Sequence, residues 1–267
     1  MSNFQKIVKY FAIALAVFLI FNIISGIVLG ISFVGNIFSF GTSGNLDKVD
    51  VSGIYKVLDI ELESINIIIK DGKKFKIETD SDNITFREVG EKLLITEKKS
   101  SWLPKKPVDD LIIYVPNNYI FENILVENGA GRIEVESLKT NHLELELGAG
   151  KVNINELFVY NTTDIDGGVG EIVIENGSVN NLDFDMGVGS VILNLEITGD
   201  SEISSGVGEV TLGLVGTSDN YCINVEKGIG KIEIDGEEIK SDTMYGNGLN
   251  KLDLNGGIGN IKVDFIR

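Results

Sequence analysis

Seven times between Gly129 and Gly259 the chain writes glycine, a small or branched aliphatic residue, glycine, and then an alternating run. The copies read GAGRIEV, GAGKVNI, GVGEIVI, GVGSVIL, GVGEVTL, GIGKIEI and GIGNIKV, and successive copies begin 19, 20, 19, 19, 22 and 29 residues apart. The glycine pairs are Gly129 and Gly131, Gly148 and Gly150, Gly168 and Gly170, Gly187 and Gly189, Gly206 and Gly208, Gly228 and Gly230, and Gly257 and Gly259. A near-constant period in strand-forming sequence constrains the fold strongly. Each repeat is too short to bury a face alone and must stack on its neighbours as a parallel β-solenoid.

Aligning the copies on their glycines separates inside from outside. Three residues before the first glycine stand Val126, Leu145, Ile165, Phe184, Ile203, Val225 and Leu254. Two residues after the second stand Ile133, Val152, Ile172, Val191, Val210, Ile232 and Ile261. The residue between the glycines (Ala130, Ala149, Val169, Val188, Val207, Ile229, Ile258) is also apolar and in phase with the first set. Strand side chains alternate faces, so these columns are expected to point inward, with one step skipped at the second glycine. A skipped step is a corner, and glycine supplies the backbone angles that a corner needs. Leu138, Leu157, Ile197 and Leu214 follow the second strand and are expected to close a third side. Seven coils at about 4.8 Å each give a rod roughly 30 Å long.

The outward columns are acidic. They carry Glu144 and Glu146, Asp164 and Asp166, and Asp183 and Asp185 in successive coils. Stacked in register, these carboxylates would form ladders. The ladders suit either an oxygen-lined divalent-cation site or a screened face that resists edge-to-edge aggregation.

The rest of the chain reads as support for the rod. No residue from Tyr10 to Phe40 is charged, which is long enough for a bilayer-spanning helix and twice the apolar length of a signal peptide. Lys6 and Lys9 precede that run and Asp47, Lys48 and Asp50 follow it, so the positive-inside rule keeps the N-terminus cytoplasmic and exports the remainder. The expected organisation is a cytoplasmic stretch at 1–9, a single-pass membrane anchor at 10–38 and a linker at 39–53. Irregular N-terminal coils and a cap follow at 54–128, and the regular solenoid occupies 129–267. Strand-like runs in the irregular part fall at 57–62, 65–70, 75–79, 84–88, 92–96 and 111–115.

One stretch there is unlike the rest. Lys98, Lys99, Trp102, Leu103, Lys105 and Lys106 form the one basic cluster outside the N-terminus, with the sole Trp of the chain and two prolines that forbid a regular strand. Such a loop suits anionic headgroups or an acidic partner, or is a solvated hairpin tip. The insertion 235–250 reads as a recognition loop or a C-terminal cap.

Composition excludes several functions. The net charge is −17, and setting aside the two N-terminal lysines leaves −19 on the remainder, which repels nucleic acid. One Cys allows no internal disulfide and no CxxC metal site. Phosphate loops, GxSxG elbows and HExxH sites are absent, and in the calcium-binding GGxGxD pattern Ile172 or Ile261 stands where Asp is required. The sole histidine, His142, falls in an outward column shared with Cys222. No cofactor is expected and the chain is not expected to be an enzyme. The one catalytic alternative is a carbohydrate-active β-helix using paired carboxylates such as Asp164 and Asp166.

A basic N-terminus, an apolar span, VDDLIIYVP at 108–116 and tandem GxG-strand repeats together resemble the adhesin-labelled bacterial domain-of-unknown-function family 4097. The resemblance covers roughly residues 55–267. It implies a membrane-anchored extracytoplasmic β-solenoid, and some relatives are associated with envelope stress responses. It carries no catalytic residues. The expected function is therefore a non-enzymatic binding or scaffold module with a protein or cell-wall partner. The alternative is a self-polymerising scaffold joined through the C-terminal coil, because the chain stops soon after Val263 and leaves that coil's edge thinly covered.

Overall fold

Where coils stack in register, each glycine corner must sit on the corner beneath it, and this packing orders the rod. The computed structural model describes residues 47–49, 51, 53–98, 108–241 and 243–266. Among these residues it is all β apart from one 3-10 turn at Ser218–Asn220. No helix among them is long and apolar enough to cross a membrane. The expected anchor at 10–38 and cytoplasmic stretch at 1–9 lie outside the described residues.

Seven strands precede the regular repeats: β1 (Asp47–Val49), β2 (Val57–Leu62), β3 (Asn66–Gly72), β4 (Lys76–Thr79), β5 (Ile84–Val89), β6 (Lys92–Glu97) and β7 (Asp110–Pro116). The first three regular coils run as one extended trace, β8 (Phe121–Ile174), and β9 (Gly177–Asn180) lies on the third side. The Gly187 coil is β10 (Leu182–Thr198) and the Gly206 coil is β11 (Asp200–Val215). The Gly228 coil is split into β12 (Tyr221–Glu226) and β13 (Ile229–Ile234), followed by β14 (Glu237–Ile239) and β15 (Thr243–Gly246). The Gly257 coil, β16 (Asn250–Ile266), comes last.

Register is set by the glycines and by the apolar columns beside them. β10 pairs in parallel with β8 and with β11, matching Phe184 to Ile165 and Ile203, and Gly189 to Gly170 and Gly208. Val126, Leu145, Ile165, Phe184, Ile203, Val225 and Leu254 are all buried, as are Ile133 through Ile261 in the second column. Leu138, Leu157, Ile197 and Leu214 are buried too and close the third side. Each such side chain contributes about 1.5–3 kcal/mol by leaving water. Because neighbouring coils interdigitate, the columns form one continuous core.

The residue between the glycines does not point inward, contrary to its phase. Val169, Val207, Ile258 and Ile229 are among the most exposed large apolar side chains described. The corner takes more than the single skipped step expected. The inward set resumes only two residues after the second glycine, and the residue at the apex is left on the outside.

Spatial order also departs from chain order. After β11 the chain passes over one coil position, builds β12 and β13, and returns to lay β16 between them and β11. Leu254 thus pairs with Ile203 on one side and Val225 on the other, and Gly259 with Gly208 and Gly230. The C-terminal coil expected at an open edge is an inner one, so its proposed self-association has no free edge to use. The outermost coil is closed by the insertion 235–250, which supplies β15 antiparallel to β12 and β14 antiparallel to β13.

The other end uses the same device in reverse. β2 and β3 stack on β8, β6 and β7 stack outside them, and the chain returns over β2 and β3 to start β8. Antiparallel β5 covers β6, β4 covers β7, and β1 lies on β4. The described strands from β2 to β7 are therefore two stacked pairs of arms with covering strands, and the expected linker already contains a strand at Asp47–Val49. Aromatic clusters plug the hollow at both ends. Phe75 packs edge-on against Tyr55 and Tyr119 at one, and Tyr245 stacks on Phe265 at the other.

Candidate functional site

Two outward features run side by side along the rod. The first is the corner ridge, which in spatial order reads Ala130, Ala149, Val169, Val188, Val207, Ile258, Ile229. Side-chain size grows toward one end, and exposure is greatest there, 54% at Ile258 and 72% at Ile229 against 42% at Val169 and 41% at Val207, with Val188 half-buried between those two valines. The register pairs Val188 with Val169 and Val207, and Ile258 with Val207 and Ile229, so the ridge is unbroken.

The ridge exists because the glycines beside it can lie on one another. An alanine Cβ at Gly208 would sit 1.7 Å from the Gly189 carbonyl oxygen, and one at Gly230 would sit 1.6 Å from that of Gly259. Both glycines also have positive φ, +147° and +149°. Backbone packed this closely leaves the apex side chain nowhere to go except outward.

The second feature is the acidic face preceding the corner. Asp164, Asp183, Glu202 and Asp253 stack in one ladder, and Asp166, Asp185, Ser204 and Asn255 in the next. Glu127, Glu144 and Glu146 are exposed on the same columns of β8, and Asp59 and Glu61 continue them on β2. Partial desolvation, with Asp183 and Asp166 close by, holds the Asp164 carboxyl above its usual range. Desolvation followed by Glu146 and Glu61 does the same to Glu127. Among the described residues no Lys or Arg forms an ion pair with Glu127, Glu144, Glu146, Asp164, Asp166, Asp183, Asp185, Glu202 or Asp253. At the distal end Asn255 donates to Glu202 Oε1 at 2.6 Å, a neutral substitute for a cation.

The six carboxylates singled out as divalent-cation candidates are thus brought together as ladders. Among the described residues, however, no group of three or more His, Cys, Asp or Glu is arranged to hold a metal ion. His142 accepts or donates to Thr162 Oγ1 at 2.6 Å and contacts Asn161 Nδ2 at 3.3 Å, so its ring is oriented by surface hydrogen bonds. Cys222 is half-buried and free.

Lys98 is exposed just past the end of β6, while Lys99, Trp102, Leu103, Lys105 and Lys106 lie outside the described residues. Their segment is bounded by described strands on both sides. It joins β6 to β7, which stack on the two arms that elsewhere meet at a glycine corner. Lys98 and the start of β7 therefore lie on the same edge as the ridge, at the end opposite its bulky residues.

Reading the sequence missed the ridge as an exposed feature. The signal was present in the column's steady growth from Ala to Ile, since a buried column in a rod of constant cross-section has no reason to taper.

The model of the Toastrack family, DUF4097, matches residues 55–263. No curated protein matches. Among solved structures, a putative adhesin from Bacteroides fragilis is similar over 84% of this chain and 100% of its own, at 17% identity and a TM-score of 0.52, which shows a shared fold. A putative adhesin from Parabacteroides distasonis is 13% identical, covering 83% of this chain and 96% of its own, with a TM-score of 0.48.

Proposed function

The chain belongs to the Toastrack family, DUF4097, and from that premise we propose that it is a non-enzymatic binding or scaffold module of the cell envelope. Its solenoid is held outside the membrane by an N-terminal single-pass helix. The observation that carries the binding role is the aliphatic ridge beside an acidic face whose carboxylates from Glu127 to Asp253 have no Lys or Arg partner among the described residues. Soluble rods rarely leave β-branched side chains exposed in a row unless something covers them. The anchor and orientation rest on the uncharged run from Tyr10 to Phe40 and on Lys6 and Lys9 before it. The basic segment with Lys98, Lys99, Trp102, Leu103, Lys105 and Lys106 is a second contact site on this reading. A role in envelope stress signalling is its natural setting, with the rod bringing a membrane or wall component to a partner.

The test is crosslinking in cells followed by pull-down of the full chain. It is compared with a V207K/I258K ridge variant and with a chain lacking residues 98–107. Recovery of one discrete envelope protein or wall polymer, lost in the ridge variant, supports the reading. Recovery unchanged in both variants refutes the assignment of binding to these surfaces.

A further inference from the structure

The ridge and the acidic face specify what should cover them: a segment with apolar side chains flanked by several positive charges. The chain contains one such segment, 98–107, all but Lys98 of it outside the described residues, which sets Trp102 and Leu103 between two pairs of lysines. We infer that this segment of one copy docks on the bulky end of the ridge of a second copy, laying Trp102 and Leu103 on Val207 and Ile258 with its lysines against Asp183, Asp185 and Glu202. This names a partner for the binding surface proposed above and rests on that reading.

Charge complementarity chooses the class of occupant. The carboxylates beside the ridge lack a Lys or Arg partner among the described residues, whereas the opposite flank already pairs Lys151 with Glu171 at 2.9 Å and Lys262 with Asp264 at 2.5 Å. A face with unmatched charge of one sign attracts a basic segment and repels a second acidic face.

Reach decides between a segment's own rod and a neighbour's. Trp102 is four residues from Lys98, so its Cα can travel at most about 14 Å from that end. From the end of β6 to Val207 is six coil steps, about 29 Å, and to Ile229 eight, about 38 Å. Its own rod therefore offers Trp102 only the stretch around Ala130 and Ala149, where the ridge is smallest. The bulky end is accessible only to another copy. A donor at one end and an acceptor at the other make a heterologous contact, which generates open rows.

The probe is a capped peptide of the sequence Lys98–Pro107 titrated into the full-length W102F chain in detergent micelles, with empty micelles as the blank. The peptide then carries the one Trp present. The expected result is a saturable blue shift of its emission that weakens about tenfold in V207K/I258K or in D183N/D185N, and again with added salt. In parallel, the wild-type chain should show a mass that rises with concentration, and deletion of 98–107 should abolish that rise. I229S serves as a second ridge variant if V207K/I258K alters the circular dichroism. Absence of a shift, or a shift indifferent to both ridge variants, overturns the inference. So does a wild-type Trp102 emission that is blue-shifted and independent of concentration, because the segment then lies on its own rod. None of these failures touches recovery of a different envelope partner in the pull-down, so the two readings fail separately.

Discussion

Replacing Gly208 by alanine would place a methyl carbon 1.7 Å from the Gly189 carbonyl oxygen and 2.8 Å from its carbonyl carbon. Ordinary contact needs roughly twice the first distance, so the Gly187 and Gly206 coils must part by an ångström or more at the corner. Parting disrupts the ladder there, where Val188 pairs with Val207 and Gly189 with Gly208. Two or three inter-coil hydrogen bonds at about 1 kcal/mol each are lost or stretched. Backbone strain at φ +147° adds about 1–3 kcal/mol for a residue with a Cβ. The expected destabilisation is therefore about 3–6 kcal/mol, a large share of the 5–15 kcal/mol typical of a folded domain. Gly236 is the control. Its φ is also positive, +81°, but nothing lies within 4 Å of the added Cβ, so Gly236→Ala should cost only about 1 kcal/mol. Urea unfolding of both variants, with slopes equal to that of the parent, measures the difference. If the two variants lie within about 0.5 kcal/mol of each other, corner-on-corner packing is not what demands glycine.

Other consequences can be checked as directly. With Cys222 replaced by serine, a Thr211→Cys/Lys262→Cys pair should crosslink readily and a Thr211→Cys/Glu233→Cys pair should not. The structure sets Lys262 beside both Thr211 and Glu233 and so keeps those two apart; mass spectrometry of the oxidised chains decides. Asp164→Asn should stabilise the protein at neutral pH by a few tenths of a kcal/mol through relief of like-charge stacking. The folded-state pKa of Asp164 is raised, so the folded chain holds the proton more tightly and stability rises as pH falls through that raised value. The advantage of the Asn variant should accordingly fade in mild acid, and parallel denaturation at neutral and mildly acidic pH reads it.

The coil itself was legible because its causes are local. Glycine spacing, the columns through Val126 and Ile133 and the closing set at Leu157 each follow from period 2 and a corner, and both columns and the closing set are buried as expected. The order of the coils was not legible. GIGKIEI and GIGNIKV are equally good coils, and nothing in either says which one touches GVGEVTL. The clue was the insertion 235–250, which is long enough to cap the rod and bring the chain back past one coil. Likewise the ridge was misplaced because alternation was carried through the corner, where close backbone contact overrides it. The aromatic plugs at Phe75 and Tyr245 occur once each, so no column announced them.

The interleaving of β16 between β11 and β12 has a consequence for how such a chain can lengthen. Both terminal coils belong to closed arrangements in which the chain overshoots, turns and fills the gap behind it. A repeat added outside either arrangement would meet the covering strands β14 and β15, or β4 and β5, and would find no arm to stack on. An extra unit can enter only between residues 121 and 215, where coils follow one another directly and an in-phase duplication of about 20 residues keeps every column aligned. Variation in rod length should therefore appear as internal duplications in that window, with both clasps inherited intact.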